Sequence, residues 1–130
     1  MTTGSGRRLA HCGPDGLVHF EPYGGLGVVR LDRPKVNALS AELLGQLAGL
    51  LHRLAAAPPP ALVVWGGDRR FSAGVDIAEL ANEATAPIVL DRFAAVLNAL
   101  ARFPRVTVAA VGGFALGGGL ELALATGPRA

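Results

Sequence analysis

Apolar residues along this chain fall into short β-type runs and longer helical stretches that alternate. Leu17 to Glu21 and Leu26 to Leu31 are two short runs with Tyr23-Gly24-Gly25 between them, which predicts a hairpin. Leu43, Leu44, Leu47, Leu50, Leu51 and Leu54 then recur at helical spacing and form one apolar face. Ser40 stands where an N-cap is needed, Glu42 falls in the first turn, and Pro58-Pro59-Pro60 stops the helix. Ala61 to Trp65 is uniformly apolar, the pattern of a strand buried on both faces, with Trp65 expected in the core. Gly66 to Val75 reads as a loop, and Asp76 as the cap of a short helix through Leu80. A long helix is predicted from Pro87, a residue suited to a first helical turn, with Ile88, Phe93, Val96, Leu97 and Leu100 on its inner side. The β-branched run Val106 to Val111 is the next strand, and a last helix starts near Gly118 or Gly119 and runs through Leu124. Strands joined by helical crossovers make an α/β fold.

Composition narrows the class. With 51% hydrophobic residues in 130, the chain can build one domain with a real core and is not a disordered segment. Residues 1 to 16 are Gly-rich and aperiodic, which predicts a loose N-terminal arm ahead of a single domain over 17–130. Eleven Arg and one Lys are scattered, and the net charge is only +2, so nothing points to nucleic acid. No apolar run approaches a membrane span, and the N-terminus lacks the apolar core of a signal peptide. One cysteine, Cys12, excludes an internal disulfide. A cytoplasmic protein is the expectation. His11, His19 and His52 lack metal-ligand spacing and read as structural or surface residues.

The chemistry concentrates in Gly112-Gly113-Phe114-Ala115-Leu116-Gly117-Gly118-Gly119-Leu120-Glu121. Glycines let a backbone approach a ligand and aim N–H groups at it, and a helix beginning there adds the positive end of its dipole. A carboxylate just behind them can act on a group held by that backbone, the layout of an oxyanion hole with an acid/base beside it. A phosphate loop is excluded. Gly112 and Gly117 have its spacing, but Gly118 stands where lysine is required. Phe71-Ser72-Ala73-Gly74-Val75-Asp76-Ile77 is a second glycine-containing turn after an apolar strand.

Gly27 to Ser40, Phe71 to Leu80 and Val111 to Glu121, in that order and at those intervals, resemble the crotonase superfamily of enoyl-CoA hydratases and isomerases. The resemblance covers roughly residues 17 to 125. It implies a crotonase-like ββα spiral and an acyl-CoA thioester as substrate, coenzyme A entering only as part of that substrate and no separate cofactor or metal. In the family, two backbone N–H groups hold the thioester oxygen; here they would be those of Ala73 and Gly118, converging on one point. Glu121 would match the first of two catalytic glutamates, and Lys35, Ala38, Ala73, Val75, Asp76 and Ile77 match segments that embrace the CoA moiety. Glutamate at this position favours hydration over double-bond migration.

The departures from the family are also definite. Its hydratases carry a second glutamate further along than the nine residues that follow Glu121 here. The family also usually reads Cys-Asp-Leu-Arg or similar where this chain has Thr126-Gly127-Pro128-Arg129. These features lead us to expect a fold truncated after roughly the first half of its core, without the C-terminal helices the family uses in trimer contacts. The rival expectations are a non-catalytic CoA-ester-binding pseudoenzyme and an inactive truncated remnant.

Overall fold

The computed structural model describes residues 16–127. The expected arm therefore lies, apart from Gly16, outside the described residues. Strands β1 (Val18–Tyr23) and β2 (Leu26–Leu31) form the hairpin, antiparallel from Val18 opposite Leu31 to Tyr23 opposite Leu26, with Gly24 and Gly25 as the turn. Helix α1 (Ala41–Ala56) follows, then β3 (Ala61–Trp65), which lies parallel to β2. A short strand β4 (Arg70–Ser72) leads to helix α2 (Ile77–Leu80) and helix α3 (Ala86–Ala101). Strand β5 (Val106–Ala110) is parallel to β3, and β6 (Phe114–Ala115) and helix α4 (Gly118–Leu124) complete the order. The main sheet runs β1-β2-β3-β5, and β4 pairs with β6 in a small parallel sheet of its own.

The chain therefore repeats one path. It runs through a main-sheet strand, steps out to a short pairing segment, and returns through a helix. β3, β4 and α2–α3 make one turn of this spiral, and β5, β6 and α4 make another. β2 starts a turn as well, with Leu39 bridging Val75 in place of a full outer strand before α1. This is the expected ββα spiral. β4 and β6 fall in stretches that read as loops, because strands of three and two residues are too short to show an alternation.

The core lies between one face of the main sheet and α1 and α3. All six leucines of the predicted α1 face are buried, each contributing roughly 1.5–3 kcal/mol by leaving water. They meet Phe20, Val29, Leu62 and Val64 from the sheet and Val96 and Leu100 from α3. Ser40 caps α1 as predicted, its Oγ accepting from the Leu43 N–H at 3.1 Å. The side chain of Glu79 adds a second cap by accepting the Ala41 N–H at 2.7 Å. In α3 the buried positions are Val89, Phe93, Val96 and Leu100; Ile88, expected inside, is 47% exposed. The helix starts at Ala86, and its stripe passes through Val89, four residues before Phe93.

The other sheet face is open. β3 alternates buried and half-buried residues, so Trp65 is not a core residue as predicted but stands on this face with the Arg30 guanidinium over its ring at 5.2 Å. Val106 is 41% exposed and Val108 47% exposed on the same side. Replacing Leu47 by Ala is expected to cost about 2–5 kcal/mol in urea unfolding. The double variant V106T/V108T should instead lower the binding of a hydrophobic dye with little change in stability. Unchanged dye binding would show that this face is covered in solution.

Candidate active site

The loops that leave the C-terminal ends of β2, β3 and β5 come together at one end of the sheet, the usual place for a site in parallel α/β structures. Asn37 joins the first two of them. Its side chain is fully buried, and its backbone has φ +53°, a left-handed conformation that asparagine tolerates better than most residues. Nδ2 donates to the carbonyls of Gly66 at 2.9 Å and Phe71 at 3.0 Å. Oδ1 accepts from the Arg33 N–H at 2.7 Å, and the Asn37 carbonyl accepts from the Ser72 hydroxyl at 2.7 Å. One residue thus ties the loop after β2 to both ends of the loop after β3.

The backbone amides of the second loop can be followed one at a time, since a buried N–H must find a partner. Ala73 donates to the Val36 carbonyl at 2.9 Å, Gly74 to the Ser72 hydroxyl at 3.0 Å and Asp76 to the Leu39 carbonyl at 3.1 Å. The N–H of Val75 has no partner among the described residues. The bridge between Leu39 and Val75 turns it outward, because Gly74 and Asp76 make the two bonds to Leu39. In α4 the amides of Gly119, Leu120 and Glu121 donate to the carbonyls of Leu116 and Gly117, which leaves the Gly118 N–H without a partner among the described residues. The two unbonded amides are neighbours. A Cβ built on Gly118 would lie 3.3 Å from the Val75 nitrogen, and one built on Gly74 would lie 3.1 Å from the Gly118 nitrogen.

This corrects one expectation. Ala73, expected to present a donor together with Gly118, has its N–H committed to Val36, and the free amide of the segment belongs to Val75 two residues later. Nothing in the spacing of glycines reveals which amide a neighbouring carbonyl takes.

Two close approaches make the pair possible. Gly74 has φ +110°, out of reach of ordinary side chains, and packs against Gly118 and Leu116. A Cβ on Gly119 would overlap the Ser72 carbonyl, which accepts the Leu116 N–H at 3.0 Å. Glu121 is exposed and stands three residues after Gly118, so both lie on one face of α4. Phe93 from α3 flanks the same spot, its Cζ 3.3 Å from a Cβ built on Gly118.

The other predicted positions are distributed around this centre. Lys35 is exposed in the loop after β2, Ala38 is half-buried with its carbonyl accepting from Arg33 at 3.2 Å, and Ile77 is 81% exposed at the start of α2. The carboxylate of Asp76 is fully engaged. Oδ2 pairs with Arg33 Nη1 at 2.8 Å, and Oδ1 accepts the Glu79 N–H at 3.1 Å as the cap of α2. The Arg33 guanidinium, above all through its hydrogen bond, holds this carboxyl below the usual aspartate range; the Glu79 N–H acts in the same direction, and burial opposes both. The sequence does not single out Asn37 or Ser72 as site residues, and Arg33, like Lys35, reads equally as a surface charge or as a functional one. The available signals were an asparagine in a Pro-containing loop and a serine two residues before a glycine. Concavities lined by His19, Arg30, Asp32 and Trp65, and by Tyr23, Leu26 and Val63, lie on the open sheet face and not at the glycine turns.

The profile of the enoyl-CoA hydratase/isomerase family matches residues 21–127. The chain belongs to that family. It is 37% identical over 101 residues to the mitochondrial enoyl-CoA hydratase of Pongo abelii, covering 76% of this chain and 35% of the relative. Pseudomonas aeruginosa DspI superposes with a TM-score of 0.82 at 32% identity, over 92% of this chain and 50% of that one. An enoyl-CoA hydratase from Bacillus anthracis gives a TM-score of 0.77 at 28% identity, over 85% and 45%. The chain spans less than half the length of the curated relatives it matches.

Replacing Asn37 by Ala is expected to cost about 3 kcal/mol or more, since several buried groups lose their partner at ~1–3 kcal/mol each. Asn37→Gly, which keeps the left-handed backbone but not the amide, should be nearly as damaging in denaturant unfolding. The pH dependence of Asp76 follows from its lowered pKa. Its contribution is present above the ordinary value of 3.8 and is lost as pH falls through the lower folded value. Asp76→Asn keeps a capping oxygen but loses the charge. It should be less stable than the parent by no more than about 1 kcal/mol at neutral pH, with the gap closing as pH drops below 3.8. A gap that stays constant down to acid unfolding would remove the ion pair from the account.

Proposed function

We propose that this chain forms the oxyanion-stabilising and CoA-binding part of an enoyl-CoA hydratase-type site, whose reaction adds water across the 2,3-double bond of an acyl-CoA. The observation that carries this reading is the pair of unbonded, adjacent amides of Val75 and Gly118. Attack of water at C3 pushes electrons onto the thioester oxygen, and a charge building there is stabilised by fixed donors. Each such donor is worth roughly 10²–10³ in rate in comparable sites. Glu121, one helical turn beyond Gly118, is the residue to hold or deprotonate the attacking water. Lys35, exposed and cationic, suits the phosphates of coenzyme A. Ala38, Ala73, Val75 and Ile77 would meet the rest of the cofactor moiety largely through their backbone. Asp76 contributes through its backbone and as the anchor of Arg33, since both its oxygens are engaged.

The 130-residue polypeptide assayed by itself supplies one acid. Glu121 is the last acidic residue of these 130. The family reaction uses a pair of acids, and one acid/base partner is worth about 10²–10⁴-fold. The purified chain should therefore bind crotonyl-CoA measurably by calorimetry and hydrate it well below the ~1–10³ s⁻¹ of ordinary enzymes. Glu121→Gln should abolish the residual rate while leaving binding within a few-fold. Full turnover that survives Glu121→Gln would refute the role given to that residue.

A further inference from the structure

The reading above leaves open what aims the two donors at one point, and the buried hydroxyl of Ser72 sits where it would do so. Ser72 is fully buried. Its Oγ donates to the Asn37 carbonyl at 2.7 Å and accepts the Gly74 N–H at 3.0 Å. Its carbonyl accepts the Leu116 N–H at 3.0 Å from the turn that carries Gly118. Gly119 packs directly on the same carbonyl. Ser72 is thus bonded to the loop after β2, to the residue before Val75, and to the segment before Gly118.

We propose that Ser72 is a positioning residue: its hydroxyl, clamped between Asn37 and Gly74, sets the direction of the Val75 amide against that of Gly118 while touching no substrate itself. Two constraints support this. The hydroxyl satisfies the Gly74 N–H, so that amide does not compete with Val75 for an incoming oxygen. It also fixes the backbone at Gly74, which has φ +110°, from the N-terminal side, while the Leu39 N–H holds the Gly74 carbonyl at 2.8 Å from the other. Removing the hydroxyl unbonds Gly74 and the Asn37 carbonyl together. The Val75 peptide is then held from the Leu39 side alone, and the freed Gly74 N–H becomes a rival donor. The Leu116 bond, made by the Ser72 backbone, survives the change, so the Gly118 side of the pair stays in place.

This inference rests on the oxyanion reading, and the test separates the two. The probe is a conjugated aromatic enoyl-CoA, whose absorption moves to longer wavelength when its thioester carbonyl is polarised. Free CoA is titrated in parallel with the full 130-residue chain and with Ser72→Ala. We expect the parent chain to shift the probe, and Ser72→Ala to lose at least half of that shift while its affinity for free CoA changes less than about threefold. Ser72→Cys keeps the volume with a weaker donor and should show an intermediate shift. It also carries the test if the alanine variant is poorly folded. A full shift in the Ala or Cys variant overturns the positioning role. Loss of free-CoA affinity together with the shift in a folded variant also overturns it, because the hydroxyl would then be holding the whole loop. A parent chain that binds the probe with no shift at all instead defeats the oxyanion reading on which this one stands.

Discussion

The buried side-chain amide of Asn37 holds together three pieces of backbone that no strand pairing joins. It fills the carbonyls of Gly66 and Phe71 and takes the N–H of Arg33, while its own carbonyl receives the Ser72 hydroxyl. Irregular loops that meet in a dry place normally leave polar groups unmatched, at a cost of about 1–3 kcal/mol for each. Here one residue absorbs four of them. The left-handed backbone at Asn37 is tolerable because these bonds over-determine it. The loops after β2 and β3 therefore behave as one rigid body, and the short helix α2 is bound to them through Arg33 and Asp76.

Rigidity explains how two unbonded amides can lie side by side in so compact a place. An amide left without a partner is unfavourable unless something else compels it. At Val75 the compulsion comes from both sides: Gly74 and Asp76 make the bonds to Leu39, and this turns the Val75 N–H outward. At Gly118 it comes from helix geometry, since the first amides of a helix have no carbonyl behind them. The two orphans have unrelated origins and meet because Gly74 and Gly119 allow backbone to touch backbone. Larger residues would separate them by pressing on backbone, that of Gly118 and Leu116 from position 74 and the Ser72 carbonyl from position 119.

This division also accounts for what could be read in the residues alone. The helical stripe of α1, its Ser40 cap, the Asp76 cap, the β2, β3 and β5 strands and the glycine turns are periodic or local signals, and the structure shows them where the pattern puts them. The short strands β4 and β6 are defined by their partner, not by their own residues, and had no signal. Ile88 and Trp65 are apolar and still stand outside the core, because which face of a helix or sheet is covered depends on where the helices land. The difference between Ala73 and Val75 is of the same kind. Both flank Gly74, and only the placement of the Val36 and Leu39 carbonyls decides which amide stays free.

The open sheet face and the donor pair are independent consequences of the same spiral path. Every bond that orients Val75 and Gly118 runs among residues 33–40, 66–76 and 116–121, at the strand ends. None involves Val106, Val108 or Trp65 on the uncovered side. Covering that face would add hydrophobic stability in proportion to the area removed from water without altering the hydrogen bonds that aim the amides. The geometry of the Val75–Gly118 corner is thus local to three loops, whereas the stability of the sheet that carries them is a property of the whole packing. Substitutions on the open face therefore leave these bonds in place, whereas a change at Asn37 removes partners from buried groups and so acts on the stability of the loops and on the direction of the amides together.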